Sequence, residues 1–250
     1  MKTILTILLL LLTATAVLAE DVDLDAMSAL AARYPLSLEI GTQGTDSYRF
    51  IYTNSQARLY VFIVEDGELR KDWETTDLGS KAVSVVVTDL NGDGVDKLIV
   101  ATVRGRVLIY DMESYNLEWE NLQLRYASID YLTCANLDND PQQEVVIIAD
   151  NLLGIFDGLN KNIQWISDTK FAAKMMLIAD VDDDPQLEII LNTGRVVDSR
   201  FYNIEFESDG PFGDRIQLFD VNGDGYLDVF GEFADFSIRV YDIWSQREMW

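Results

Sequence analysis

The 250-residue chain has no histidine and a single cysteine. The missing imidazole removes Ser-His-Asp and Cys-His activation of a nucleophile, histidine general bases and the common zinc constellations. One cysteine leaves no intrachain disulfide framework to staple the fold. That residue, Cys134, stands in the apolar run Tyr131-Leu-Thr-Cys-Ala135 and is expected to be a small buried strand residue, not a reactive thiol. Basic residues are scarce too. The chain sets 19 Lys and Arg against 43 Asp and Glu, a net charge of -24, which disfavours nucleic acid and anionic membrane as partners. Hydrophobic residues still make up 48% of the chain, too many for a disordered acidic tail. A packed fold is expected.

The first residues read as an export signal. Met1-Lys2 gives a short positive start, Ile4 to Leu18 a largely apolar stretch, and Val17-Leu-Ala19 a cleavage signal before polar Glu20. Residues 1–19 are therefore assigned to a signal peptide cleaved after Ala19, which implies a secreted or periplasmic protein. Residues 20–35 form a leader in which Asp25 to Tyr34 are expected as a short helix, capped by Asp25 and stopped by Pro35. No later segment reads as a transmembrane span, so no membrane insertion is expected after cleavage.

The remainder repeats. Short acidic loops begin at Asp89, Asn136, Asp180 and Asp220, spaced 47, 44 and 40 residues apart. Each lies between apolar strand-like runs, such as Val83-Ser-Val-Val-Val87 and Leu98-Ile-Val-Ala101. A third run ends on an aromatic and a fourth on Trp, nine residues apart in Tyr110 to Trp119, Phe156 to Trp165 and Tyr241 to Trp250. In the unit carrying Asp180 there is no closing Trp, and Phe201 is taken as the counterpart of Tyr110. A degenerate unit from Leu36 to Trp73 keeps the strands and lacks the acids. Units of this length with four strands each are the signature of propeller blades. The fold expected is all-β: a β-propeller of about five four-stranded blades over residues 36–250, the first blade degenerate.

Alternate carboxylates in a tight turn repel one another unless a hard cation compensates them, and oxygen donors at this density suit calcium. Taking the first acid as position 1, side chains at 1, 3, 5 and 9 and the backbone carbonyl at 7 supply the candidate ligands. The sets are Asp220, Asn222, Asp224, Tyr226 and Asp228; Asp180, Asp182, Asp184, Gln186 and Glu188; and Asn136, Asp138, Asp140, Gln142 and Glu144. The loop with Asp89, Asn91, Asp93 and Val95 is incomplete, because Lys97 stands at position 9. Position 6 is Pro141 or Pro185 in two loops and the flanks are strands, which excludes an EF-hand. Asp and Asn also favour such turns without any metal, by bonding the nearby backbone.

The Asp-x-Asn/Asp-x-Asp loop before an aliphatic strand resembles FG-GAP/VCBS repeats, the units of integrin-α-like propellers, in four of five units. The run Phe156-Asp-Gly-Leu-Asn-Lys-Asn-Ile-Gln-Trp165 is similar to the end of a quinoprotein-type repeat. The first resemblance implies a non-enzymatic module bound to a protein or glycan outside the cell. The alternatives are a propeller enzyme, such as a calcium-dependent polysaccharide lyase, a quinoprotein dehydrogenase or a carboxylate-pair glycosidase, and a scaffold in an envelope assembly complex. The closing Trp residues are expected to serve blade packing, which leaves Trp244, off their register, as the aromatic to test for ligand contact.

Overall fold

A computed structural model of the chain describes residues 38–43, 47–53, 57–65, 68–138, 140–182 and 184–250. The expected signal peptide, and the leader in which a short helix is expected, lie outside the described residues. The chain divides into two compact units, one ending at Asp77 and one beginning at Leu78. Among the described residues every regular element is a strand and every pairing is antiparallel. No helix there is long and apolar enough to cross a membrane.

The first unit holds one blade, β1 (Leu38–Gln43), β2 (Ser47–Thr53), β3 (Leu59–Glu65) and β4 (Glu68–Glu74), paired in chain order. Its buried core is Phe50, Tyr52 and Phe62, with Tyr60, Val64 and Leu69 against them. The second unit holds four blades of the same topology. Blade 2 is β5 (Ala82–Thr88), β6 (Lys97–Thr102), β7 (Val107–Asp111) and β8 (Leu117–Glu120). Blade 3 is β9 (Ile129–Ala135), β10 (Glu144–Ala149), β11 (Leu152–Phe156) and β12 (Ile163–Ile166). Blade 4 is β13 (Met176–Ala179), β14 (Glu188–Leu191), β15 (Arg195–Asp198) and β16 (Ile204–Glu207). Blade 5 is β17 (Arg215–Phe219), β18 (Asp228–Glu232), β19 (Ile238–Asp242) and β20 (Arg247–Glu248). The chain is thus a β-propeller fold of five four-stranded blades.

The second strands explain why the sequence reads as continuous apolar runs there. In β10, Val145, Ile147 and Ala149 pack on the face shared with Ile99 and Ala101 of blade 2. The alternate residues Val146 and Ile148 pack with Ile189 and Leu191 of blade 4. Blade 4 repeats the arrangement, its Ile190 turning to Val229 of blade 5. A strand covered on both faces has no side left for polar residues, so alternation disappears.

Register and burial correct two expectations about the blade ends and complete a third. Trp73, Trp119 and Trp165 lie opposite Val61, Ile109 and Ile155, each beside a β-bulge. In blade 4 that place belongs to Phe206, opposite Val196 and again beside a bulge, so a closing aromatic is present although no Trp is. The counterpart of Tyr110 is Val197 and not Phe201, which sits in the following turn, 69% exposed. Trp250 is not a packing residue either: it is 71% exposed. Trp165, by contrast, stacks on Tyr202 at 4.8 Å between ring centres. Cys134 lies in the strand β9 as expected but is half-buried, not fully buried, with desolvation and then the Glu144 charge pushing its thiol up to about 12. Such a thiol stays protonated and unreactive.

Candidate metal loops

All four acidic loops connect the first strand of a blade to its second. The position 9 residue opens the second strand and is buried in each: Lys97 is 3% exposed, Glu144 and Glu188 0%, Asp228 1%. Two backbone bonds shape every loop, apart from the lysine case. The position 2 amide donates to the buried carboxylate, from Leu137 to Glu144 Oε2 at 2.7 Å, Val181 to Glu188 Oε2 at 2.9 Å and Val221 to Asp228 Oδ2 at 2.8 Å. The position 7 amides of Val95, Gln142, Gln186 and Tyr226 donate to Oδ1 of Asp93, Asp140, Asp184 and Asp224 at 2.8–2.9 Å. These amides use one oxygen of each position 5 acid; in blades 2 and 5 the other accepts from the side chain of Asn91 or Asn222.

Position 6 separates the loops into two kinds. In blades 2 and 5 it is Gly94 or Gly225, at φ 83° and 96°, a left-handed conformation that glycine adopts without strain. Their amides donate to Oδ2 of Asp89 and Asp220, while Gly92 and Gly223 donate to the Oδ1 atoms. Both oxygens of the position 1 acid are thereby engaged by backbone. In blades 3 and 4 position 6 is Pro141 or Pro185, which has no amide to give. There the acids converge instead. Asp138, Asp140 and Glu144 each bring an oxygen within 4.8 Å of the others, as do Asp180, Asp182 and Glu188. Asn136 turns its amide to the Asp140 carbonyl at 2.7 Å.

The loops also differ in how their charge is compensated. In blade 5 the Asn222 amide bridges Asp224 Oδ2 at 2.8 Å and Asp242 Oδ2 at 3.3 Å, and Arg247 lies 3.6 Å from Asp242. Blades 3 and 4 lack any such donor to their buried glutamates: Glu144 Oε1 and Glu188 Oε1 are enclosed with no hydrogen-bond partner. Burial, then the neighbouring aspartates, raise Glu144 to about 7 and Glu188 to about 8. A buried orphan oxygen facing two more carboxylates is costly, and either a proton or a bound cation would relieve it.

A second set of acids escaped the sequence reading. Asp111, Asp198 and Asp242 end the third strands of their blades, and Asp157 directly follows that of blade 3. Lys97 pairs with Asp111 and Glu188 with Asp198 across the antiparallel ladder. Each third-strand acid caps its turn, as Asp111 does for Ser114 at 2.7 Å and Asp242 for Ser245 at 2.8 Å. The signal was legible: an Asp directly after Tyr110, Phe156 and Tyr241. In blade 4, Asp198 joins Asp184 and Glu205 of β16 in a further convergent group within 4.8 Å. Beside it Trp244, stacked on Tyr226 at 4.9 Å, lines a cavity of about 110 Å³ with Asp182, Glu205 and Phe206.

No family profile and no curated protein matches the chain. Solved structures do match. Sqt1 of Saccharomyces cerevisiae superposes with a TM-score of 0.58 at 13% identity, over 85% of this chain and 60% of that one. BBS1N, crystallised in complex with ARL6DN, gives 0.60 at 11% identity over 85% and 66%. The Vibrio cholerae biofilm matrix protein Bap1 gives 0.59 at 16% identity over 82% and 35%. This chain therefore spans 35–66% of the length of these solved chains. At such identities the likeness shows fold: the molecule shares the propeller architecture of these proteins.

Proposed function

We propose that the chain is an exported, FG-GAP/VCBS-like β-propeller that binds a protein or glycan without chemistry of its own, its blades stabilised by calcium. The observation that carries the calcium reading is the buried, unpartnered Glu188 Oε1 facing Asp180 and Asp182. Calcium takes six to eight hard oxygen ligands in flexible geometry, which suits carboxylates and carbonyls on a short turn. In blade 4 Asp180, Asp182, Asp184, Glu188 and the Gln186 carbonyl would hold it; in blade 3, Asp138, Asp140, Glu144 and the Gln142 carbonyl, with Asn136 at the entrance. Blade 5 offers Asn222, Asp224, Asp228 and the Tyr226 carbonyl, with Asp220 organising the turn. At roughly 0.1–1 mM affinity, millimolar calcium adds on the order of 1 kcal/mol per site.

The binding role draws support from surface chemistry. Exposed rings at Phe201, Phe236, Trp244 and Trp250 offer contact surface for a partner. A propeller seen in complex with ARL6DN favours a protein partner, and a biofilm matrix propeller is consistent with work outside the cell. The export signal over residues 1–19 points the same way.

Calorimetric titration of the chelated protein with calcium, followed by thermal melts in EGTA and in calcium, tests the first part. We expect millimolar or tighter binding and a higher melting temperature. No heat and an unchanged melt would overturn it. Affinity capture from the native extract, with and without calcium, tests the second; a calcium-dependent partner is the expected result.

A further inference from the structure

Among the described residues, Lys97 is the one buried cation at the end of an acidic loop. Its side chain is 4% exposed, and its Nζ lies 3.1 Å from Asp111 Oδ2, 3.3 Å from Asp93 Oδ2 and 3.5 Å from Glu118 Oε1. The ammonium is thus enclosed by three carboxylates, one from the loop and one each from the third and fourth strands.

The three acids around it occupy defined stations of the blade: position 5 of the loop, the end of the third strand and the start of the fourth. In blade 4 the same stations hold Asp184, Asp198 and Glu205. The register is equivalent, Lys97 lying opposite Asp111 as Glu188 lies opposite Asp198, and Tyr110 opposite Leu117 as Val197 lies opposite Ile204. These three carboxylates also converge, within 4.8 Å of one another. No ammonium enters. The residue at the lysine position is Glu188, whose buried Oε1 has no partner.

We propose that the Lys97 ammonium supplies covalently, in blade 2, the positive charge that blade 4 takes from a bound divalent ion. The shared station is built from the position 5 acid, the third-strand Asp and the fourth-strand Glu. Asp198 and Glu205 are then ligands in blade 4 beyond those of the loop motif, and blade 2 binds no metal. The inference rests on the calcium reading for blade 4, while its statement about Lys97 stands apart from it.

A reciprocal exchange tests it on the full chain, with calcium as the probe. Lys97→Glu should lower the melt in EGTA, gain one equivalent of calcium by calorimetry and recover stability when it binds. Glu188→Lys should lose one equivalent and melt higher than the native protein in EGTA. Lys97→Met, a milder change, should lower the EGTA melt without gaining a tight site, and Lys97→Arg should not. If Lys97→Glu gains no ion, or Glu188→Lys keeps the full stoichiometry, the inference is wrong. An unchanged EGTA melt for Lys97→Met would also overturn it. If the native protein binds no calcium but Lys97→Glu gains one equivalent, the role of Lys97 stands and the calcium reading falls. If neither binds, both fall.

Discussion

Two glutamates concentrate the electrostatic strain of the molecule. Glu144 and Glu188 are held at about 7 and about 8 in the fold, against an ordinary 4.5. A carboxyl whose folded pKa is raised favours the folded state fully below its unfolded pKa, and that advantage is lost as pH rises through the folded value. In EGTA the melting temperature should therefore fall between about pH 5 and pH 9. Calcium binds the ionised carboxylates and should flatten that fall; a chelated melt independent of pH would contradict the burial of these groups. Glu188→Gln separates the two roles. It should raise stability in EGTA, where it removes a buried acid, and lower the stabilisation by calcium by on the order of 1 kcal/mol.

Within a blade, the strands are unequal. The second strand is covered on both faces, so Ile147→Ala should cost about 2–5 kcal/mol. The fourth strand lies outside: Ile163 is 44% exposed, and Ile163→Ala should stay within about 0.5 kcal/mol. Urea midpoints of the two variants check the contrast. The loops of neighbouring blades also touch. The Gln143 amide donates to the Leu90 carbonyl at 3.1 Å, joining the loops of blades 2 and 3. Gly158 packs there, and a Cβ on it would stand 1.9 Å from the Gln143 carbonyl oxygen and 2.6 Å from that of Leu90. Gly158→Ala should thus lower the melting temperature even though its φ is ordinary, since backbone and not a movable side chain blocks the methyl.

Over the whole molecule, a net charge of -24 makes folding work against self-repulsion. Salt screens charges beyond a Debye length of about 10 Å at 0.1 M, so sodium chloride should raise the melt of the chelated protein. Screening is weak inside the buried clusters of blades 3 and 4. Calcium should accordingly stabilise more than sodium at matched ionic strength, and equal effects would reduce the ion to a diffuse counterion.

The five-blade organisation was readable from the chain because strand length, apolar runs and Asx turns are local properties, and the repeat spacing multiplies them. The position 9 residues were readable too, since a fixed loop length returns them to the start of the second strand. What the loops do with their acids was not. Whether Asp89 or Asp180 faces the turn or its neighbours depends on whether position 6 brings an amide, a three-dimensional consequence of Gly against Pro. That Phe206 replaces a Trp, and that Asp111 and Glu118 surround Lys97, depends on bulges and ladder register that join distant residues. Sequence spacing carries the strands and turns; only the folded ladder decides which charges meet.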